Sequence, residues 1–213
     1  MAMAAPDPRG VLDELQAADR LLIQQIFKPV ANEYRISVPA DASDDEGHPL
    51  LFVKQKKMKI KEDIRFRLSA DAEEHVFMIK SKSVFEFRGR HDVLDADGNR
   101  IGLLEKAFGK SLLRSHWVVR DSEGNELLEG REANLLIAIV RRIAQIGPDW
   151  FSLLSWLPFN FAVERNGEGV GHYRRVLGKF RDRYVFELGP GLKDVDHRLL
   201  VAFAVGLDAL QDR

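Results

Sequence analysis

The chain contains no cysteine. That excludes disulfides, thiolate zinc sites and thiol catalysis, and it suits a cytoplasmic setting. Charge of one sign is also scarce in excess: 32 Lys and Arg stand against 33 Asp and Glu, a net charge of −1. Nucleic acid is therefore not an expected partner. The opening stretch MAMAAPDPRG lacks the basic start and apolar run of a signal peptide. The longest fully apolar run, Leu199–Leu207, falls well short of the ~20 residues that a membrane-spanning helix needs.

Chemical signatures are missing too. Ser81, Ser83, Ser111 and Ser115 have no GxSxG context. The histidines at 48, 75, 91, 116, 172 and 197 show no HExxH or paired-ligand spacing, and they read as structural. Gly189-Pro190-Gly191 is a turn, because no Lys-Ser or Lys-Thr follows it at a helix start. The sequence thus predicts no catalytic residues, no metal and no cofactor.

What is present points to one large β domain. The 213 residues are 45% apolar, enough for a sizeable core. Residues 1–20 read as a lead-in, with one or two helical turns over Val11–Ala18. From Leu21 onward strands dominate. Asp97-Gly98, Glu123-Gly124-Asn125 and Asn166-Gly167 each sit between two apolar runs, which is the pattern of a β-hairpin whose turn needs a positive φ. A fourth, longer hairpin spans Tyr34–Lys56. About ten to twelve strands in one meander favour a curled or closed sheet, which also leaves no edges to aggregate.

Two segments break the alternation. Arg131–Gly147 carries apolar residues at helical spacing and opens an insertion that runs to about 158. The second is a helix at about 195–211, whose core is apolar on every side. Such a helix must be surrounded, and the inside of a barrel surrounds it. Ala202, Ala204, Gly206 and Ala209 would let the wall approach closely.

Several stretches carry a resemblance: NEYRI (Asn32–Ile36), KQKKMKIKEDIRF (Lys54–Phe66), HDVLDADGNRIGLLEK (His91–Lys106), FGKSLLRSHW (Phe108–Trp117) and RLLVAFAVGLDAL (Arg198–Leu210). Together they resemble the tubby C-terminal fold, shared by phospholipid scramblases and the LURP-one-related proteins. The resemblance covers Leu21 to the C-terminus and looks like a bacterial branch. It implies a mainly β protein: a closed antiparallel barrel of about 12 strands around an apolar C-terminal helix, forming one domain over 21–213.

Three candidate sites follow. The charge is −5 over residues 1–50, +6 over 51–120 and −2 over the rest, so the middle third is basic. Within it, Lys57, Lys59 and Lys61 share one face of an extended strand, with Lys54 and Lys56 just before them. Arg65 and Arg67 continue that face if the strand runs on, whereas Glu62-Asp63 mark a turn if it does not. Tubby domains bind phosphoinositide headgroups through basic residues on barrel strands. The resemblance therefore implies an anionic phospholipid or phosphate ligand for these seven residues, and peripheral association with a membrane. Set against this, lysines on a strand also serve as a solvated face that resists aggregation.

The second candidate is the aromatic cluster Trp150, Phe151, Trp156, Leu157 and Phe159. It reads either as packing of the insertion on the barrel or as a surface for a protein partner or a second copy. The third, the DADGN and DSEGN stretches (Asp95–Asn99 and Asp121–Asn125), has Gly too early for a calcium loop and reads as plain hairpin turns. The expected function is a non-enzymatic binding or scaffold module.

Overall fold

The computed structural model describes residues 7–27, 31–40, 46–56, 63–80, 89–107, 116–132, 160–176 and 183–210. Helix α1 (Pro8–Ala17) is followed by β1 (Arg20–Phe27), β2 (Ala31–Pro39), β3 (Glu46–Lys56), β4 (Ile64–Arg67), β5 (Phe77–Lys80) and β6 (Arg90–Asp95). Then come β7 (Arg100–Lys106), β8 (His116–Asp121), β9 (Glu126–Glu132), β10 (Asn160–Arg165), β11 (Glu168–Val176) and β12 (Arg183–Leu188). A 3-10 turn (Pro190–Leu192) leads into helix α2 (His197–Ala209). Each strand pairs antiparallel with its sequence neighbours, and β1 pairs with β12, so the twelve close into a barrel.

The hairpins form as their turn residues dictate. Gly98, Gly124 and Gly167 have φ of 86°, 96° and 83°, a region that costs glycine little. Asp95 accepts hydrogen bonds from the backbone N–H groups of Asp97 and Asn99 and from the Asn99 side chain. Asp121 repeats this with Glu123 and Asn125. Both carboxylates are thus committed to their own turns.

Period-two alternation sends one residue of each pair inward, and the inward set meets α2. Leu199 to Val205 and Leu207 are each no more than 1% exposed. Fully burying one such Leu, Val or Phe contributes roughly 1.5–3 kcal/mol. The wall makes room at Gly130, where an added Cβ would collide with Phe203 Cζ, and at Gly102, where it would come within 2.6 Å of Leu199 Cδ2. Around the helix, Tyr173 stacks on Tyr184 with centroids 5.3 Å apart, and Phe186 lies 6.2 Å from Phe203. The buried Tyr173 hydroxyl donates to the Ala204 carbonyl at 3.3 Å.

Helix α1 is tied to the mouth through which α2 enters. Asp7 caps its start, and Val11 and Leu15 are buried. The Gln16 side-chain amide donates to the Lys193 and Val195 carbonyls, and its oxygen accepts from the His197 N–H. His197 Nδ1 is 2.8 Å from the Leu15 carbonyl, so that nitrogen carries the proton. Asp196 caps α2 by accepting from the Arg198 N–H.

The described part of the expected insertion is small. Arg131 and Glu132 still belong to β9, pairing with Ala162 and Phe161 of β10, which makes them strand rather than helix. Residues 133–159 lie outside the described set.

Candidate ligand-binding face

β3 is described as far as Lys56, and β4 begins at Ile64 as its antiparallel neighbour. The continuous strand that would carry Arg65 and Arg67 onward from Lys61 is therefore not formed. The two strands run antiparallel, with Val53 opposite Phe66, and residues 57–62 between them lie outside the described set. Val53, Ile64 and Phe66 point into the core, so Lys54 on β3 and Arg65 and Arg67 on β4 point outward. Two strands thus bring together cations that sequence spacing placed on one. Lys56 lies at the end of β3, and its side chain is outside the described set, as are Lys57, Lys59 and Lys61.

Several outward cations elsewhere on the barrel meet acids. Glu105 receives Arg90 Nε at 2.9 Å and Arg120 Nε at 3.1 Å. Partial burial works to raise that carboxyl, but the two guanidinium groups outweigh it and hold it below the usual range. Arg131 and His116 both meet Glu129, at 2.6 and 2.8 Å. Arg165 pairs with Asp194, Arg174 with Glu187 and Arg198 with Asp196. Among the described residues, no carboxylate stands within ion-pair reach of Lys54, Arg65 or Arg67.

Arg35 and Phe52 extend this face. Register places Arg35 of β2 opposite Phe52 of β3, and Phe52 opposite Arg67 of β4. The Arg35 guanidinium carbon lies 5.9 Å from the Phe52 ring centroid. Beside them is a cavity of about 40 Å³ lined by Glu33, Arg35, Phe52, Lys54, Arg67 and Ser69, among others. Arg67 Nε is shielded from solvent and has no hydrogen-bond partner. Neither Arg35 nor Phe52 belongs to a run of like residues, so only the strand register reveals them.

Residues 50–208 match the model of a protein family described as LURP-one-related. The chain belongs to the LURP-one-related family. That family lies in the tubby-like superfamily, which accounts for the twelve-stranded barrel around a C-terminal helix. No curated protein and no solved structure matches the chain.

A LURP-one-related barrel is compatible with a binding module that performs no catalysis. Among the described residues no cluster of His, Asp and Glu could hold a metal ion. No helix among them is long and apolar enough to cross a membrane. The aromatic cluster Trp150, Phe151, Trp156, Leu157 and Phe159 and the four serines screened above lie outside the described set. His91 and His172 sit on β6 and β11.

Proposed function

We propose that this LURP-one-related barrel is a non-catalytic, cytoplasmic binding module that docks on anionic phospholipid surfaces. The docking face is the outer wall of β3 and β4, through Lys54, Arg65 and Arg67. The Lys56, Lys57, Lys59 and Lys61 run between the two strands is assigned to the same face by the proposal. The observation that supports it is that, among the described residues, Lys54, Arg65 and Arg67 have no carboxylate within ion-pair reach, whereas Arg90, Arg120, Arg131, Arg165 and Arg174 each meet one. An anion supplied from outside would take the place those acids fill elsewhere.

The opposite charge collects at the α1 end of the barrel. Asp13, Glu14 and Asp19 of α1 and its exit, Asp71, Glu73 and Glu74 between β4 and β5, and Glu123 between β8 and β9 are all exposed there. Such a polarity would turn the basic wall toward a negative surface and the α1 end away from it.

The test is co-sedimentation with neutral and with anionic vesicles at low and moderate salt. Binding to anionic vesicles alone, weakened by salt, is expected. Each basic residue near an anionic surface contributes about 1 kcal/mol. The double variant Lys54→Gln, Arg65→Gln is therefore expected to bind roughly 30-fold more weakly. Equal sedimentation of this variant and the parent would overturn the proposal.

A further inference from the structure

A closed barrel turns one side of each strand to its filling and the other to water. On β2, β1 and β12 the outer side departs from this. Leu21 and Ile23 of β1, Ile36 of β2, and Tyr184 and Phe186 of β12 belong to the core, so the alternate residues Leu22, Gln24, Ser37 and Val185 point outward. Each of these four is no more than 1% exposed. Register sets Leu22 between Ser37 and Val185 in one row, at the seam where the first and last strands meet. By contrast, Met78 of β5 and Leu103 of β7, also outward and apolar, are only half-buried.

Outward side chains lose their water when a further layer of protein lies on them. Helix α1 is not that layer. Its Val11 and Leu15 join the inner core, and Gln16 ties it to the segment before α2. The covering is apolar and dry above Gln24. Both amide atoms of that side chain are closed to water and lack a hydrogen-bond partner, which a water-filled gap would have supplied.

One stretch of the chain has the length and the chemistry to cover this wall. The connections of β1, β2, β11 and β12 that lie outside the described set are short: 28–30, 41–45 and 177–182. Of these, 41–45 reads Asp-Ala-Ser-Asp-Asp, which suits water. Residues 133–159 leave β9 and return to β10. From β10 the wall is reached through β11 and β12, three strand spacings or roughly 14 Å to β1. Even at the rise of a helix, a stretch of that length spans roughly 40 Å. Its sequence is mainly apolar, with Leu135, Leu136, Ile139, Val140, Ile143 and Ile146 at helical spacing.

We propose that the outer wall of β2, β1 and β12 is an intramolecular docking surface, and that its occupant is residues 133–159 of the same chain, seated over the Leu22–Val185 seam. This surface is separate from the cations of β3 and β4, and its role is to hold the insertion against the barrel.

The absence of cysteine makes the test direct. Ser37→Cys and Val185→Cys each place a thiol on the wall with little change of volume, and Leu103→Cys places one on an outer face left open. In the full chain, with folding checked by circular dichroism, a maleimide should label Leu103→Cys about tenfold faster than either wall variant. Each wall variant is then combined with Ile139→Cys or Ile143→Cys and treated with a short bis-maleimide. A cross-link within one chain, located by peptide mapping, is expected. Gln24→Met needs no thiol. A higher midpoint in urea supports an apolar cover over that amide, and a lower one counts against it. Wall thiols labelled as fast as Leu103→Cys overturn the proposal. So does protection without a cross-link to 133–159, or a cross-link that joins two chains and never one, which would make a second copy the occupant.

Discussion

Single residues decide whether the wall and the helix fit. Gly130 faces the Phe203 ring and Gly102 faces Leu199, each closer than any Cβ could stand. Gly130→Ala should lower stability by about 1–3 kcal/mol through overpacking, seen as an earlier midpoint in urea. Combining it with Phe203→Leu should recover part of that loss, because the two changes share one contact. In the sequence both glycines look like weak points in otherwise good strands; their reason lies on α2, some 70–100 residues later. Asp121 is decided locally. The Asn125 side chain is the largest of the hydrogen-bonding influences that hold its carboxyl below the usual range. Since the folded value is depressed, the turn keeps its support above the ordinary Asp value of about 3.9 and loses it as pH falls through the lower folded value. The Asn125 side-chain amide resonances should stay constant from pH 7 to about 4 and shift only below that.

At the scale of elements, α1 matters through one side chain. Gln16 joins both sides of the mouth, bonding the Lys193 and Val195 carbonyls and the His197 N–H. Gln16→Ala should cost about 1–3 kcal/mol, with hydrogen exchange quickening at the start of α2 before it does in the strands. The strands and the apolar C-terminal helix were legible because alternation, glycine turns and an all-round apolar run are local signals. The docking of α1 was not, because an exposed glutamine carries no periodic signature. The basic face was half legible. Lys54, Arg65 and Arg67 were visible as a run of charge, but their gathering from two antiparallel strands, and the addition of Arg35 and Phe52, follow from register alone.

For the whole molecule, closure of the sheet makes the charge pattern matter. In an open sheet the paired Arg90, Arg120 and Arg131 and, among the described residues, the unmatched Lys54, Arg65 and Arg67 would share one broad face. In the barrel they point in different directions around the axis. If docking is directional, charge reversal at Asp71, Glu73 and Glu74, on the α1 end, should alter anionic-vesicle binding far less than a change at Arg65. Parallel sedimentation of the two variants checks this, and equal effects would mean that net charge alone governs attraction.

The position of α2 in the chain has a consequence for biosynthesis. A ribosome releases all twelve strands before the helix that fills them, and β1 waits for β12 before the ring can close. Until then the inward faces of the strands have nothing to pack on. Until α2 emerges, the nascent barrel is therefore a natural client for chaperones that shield apolar surface.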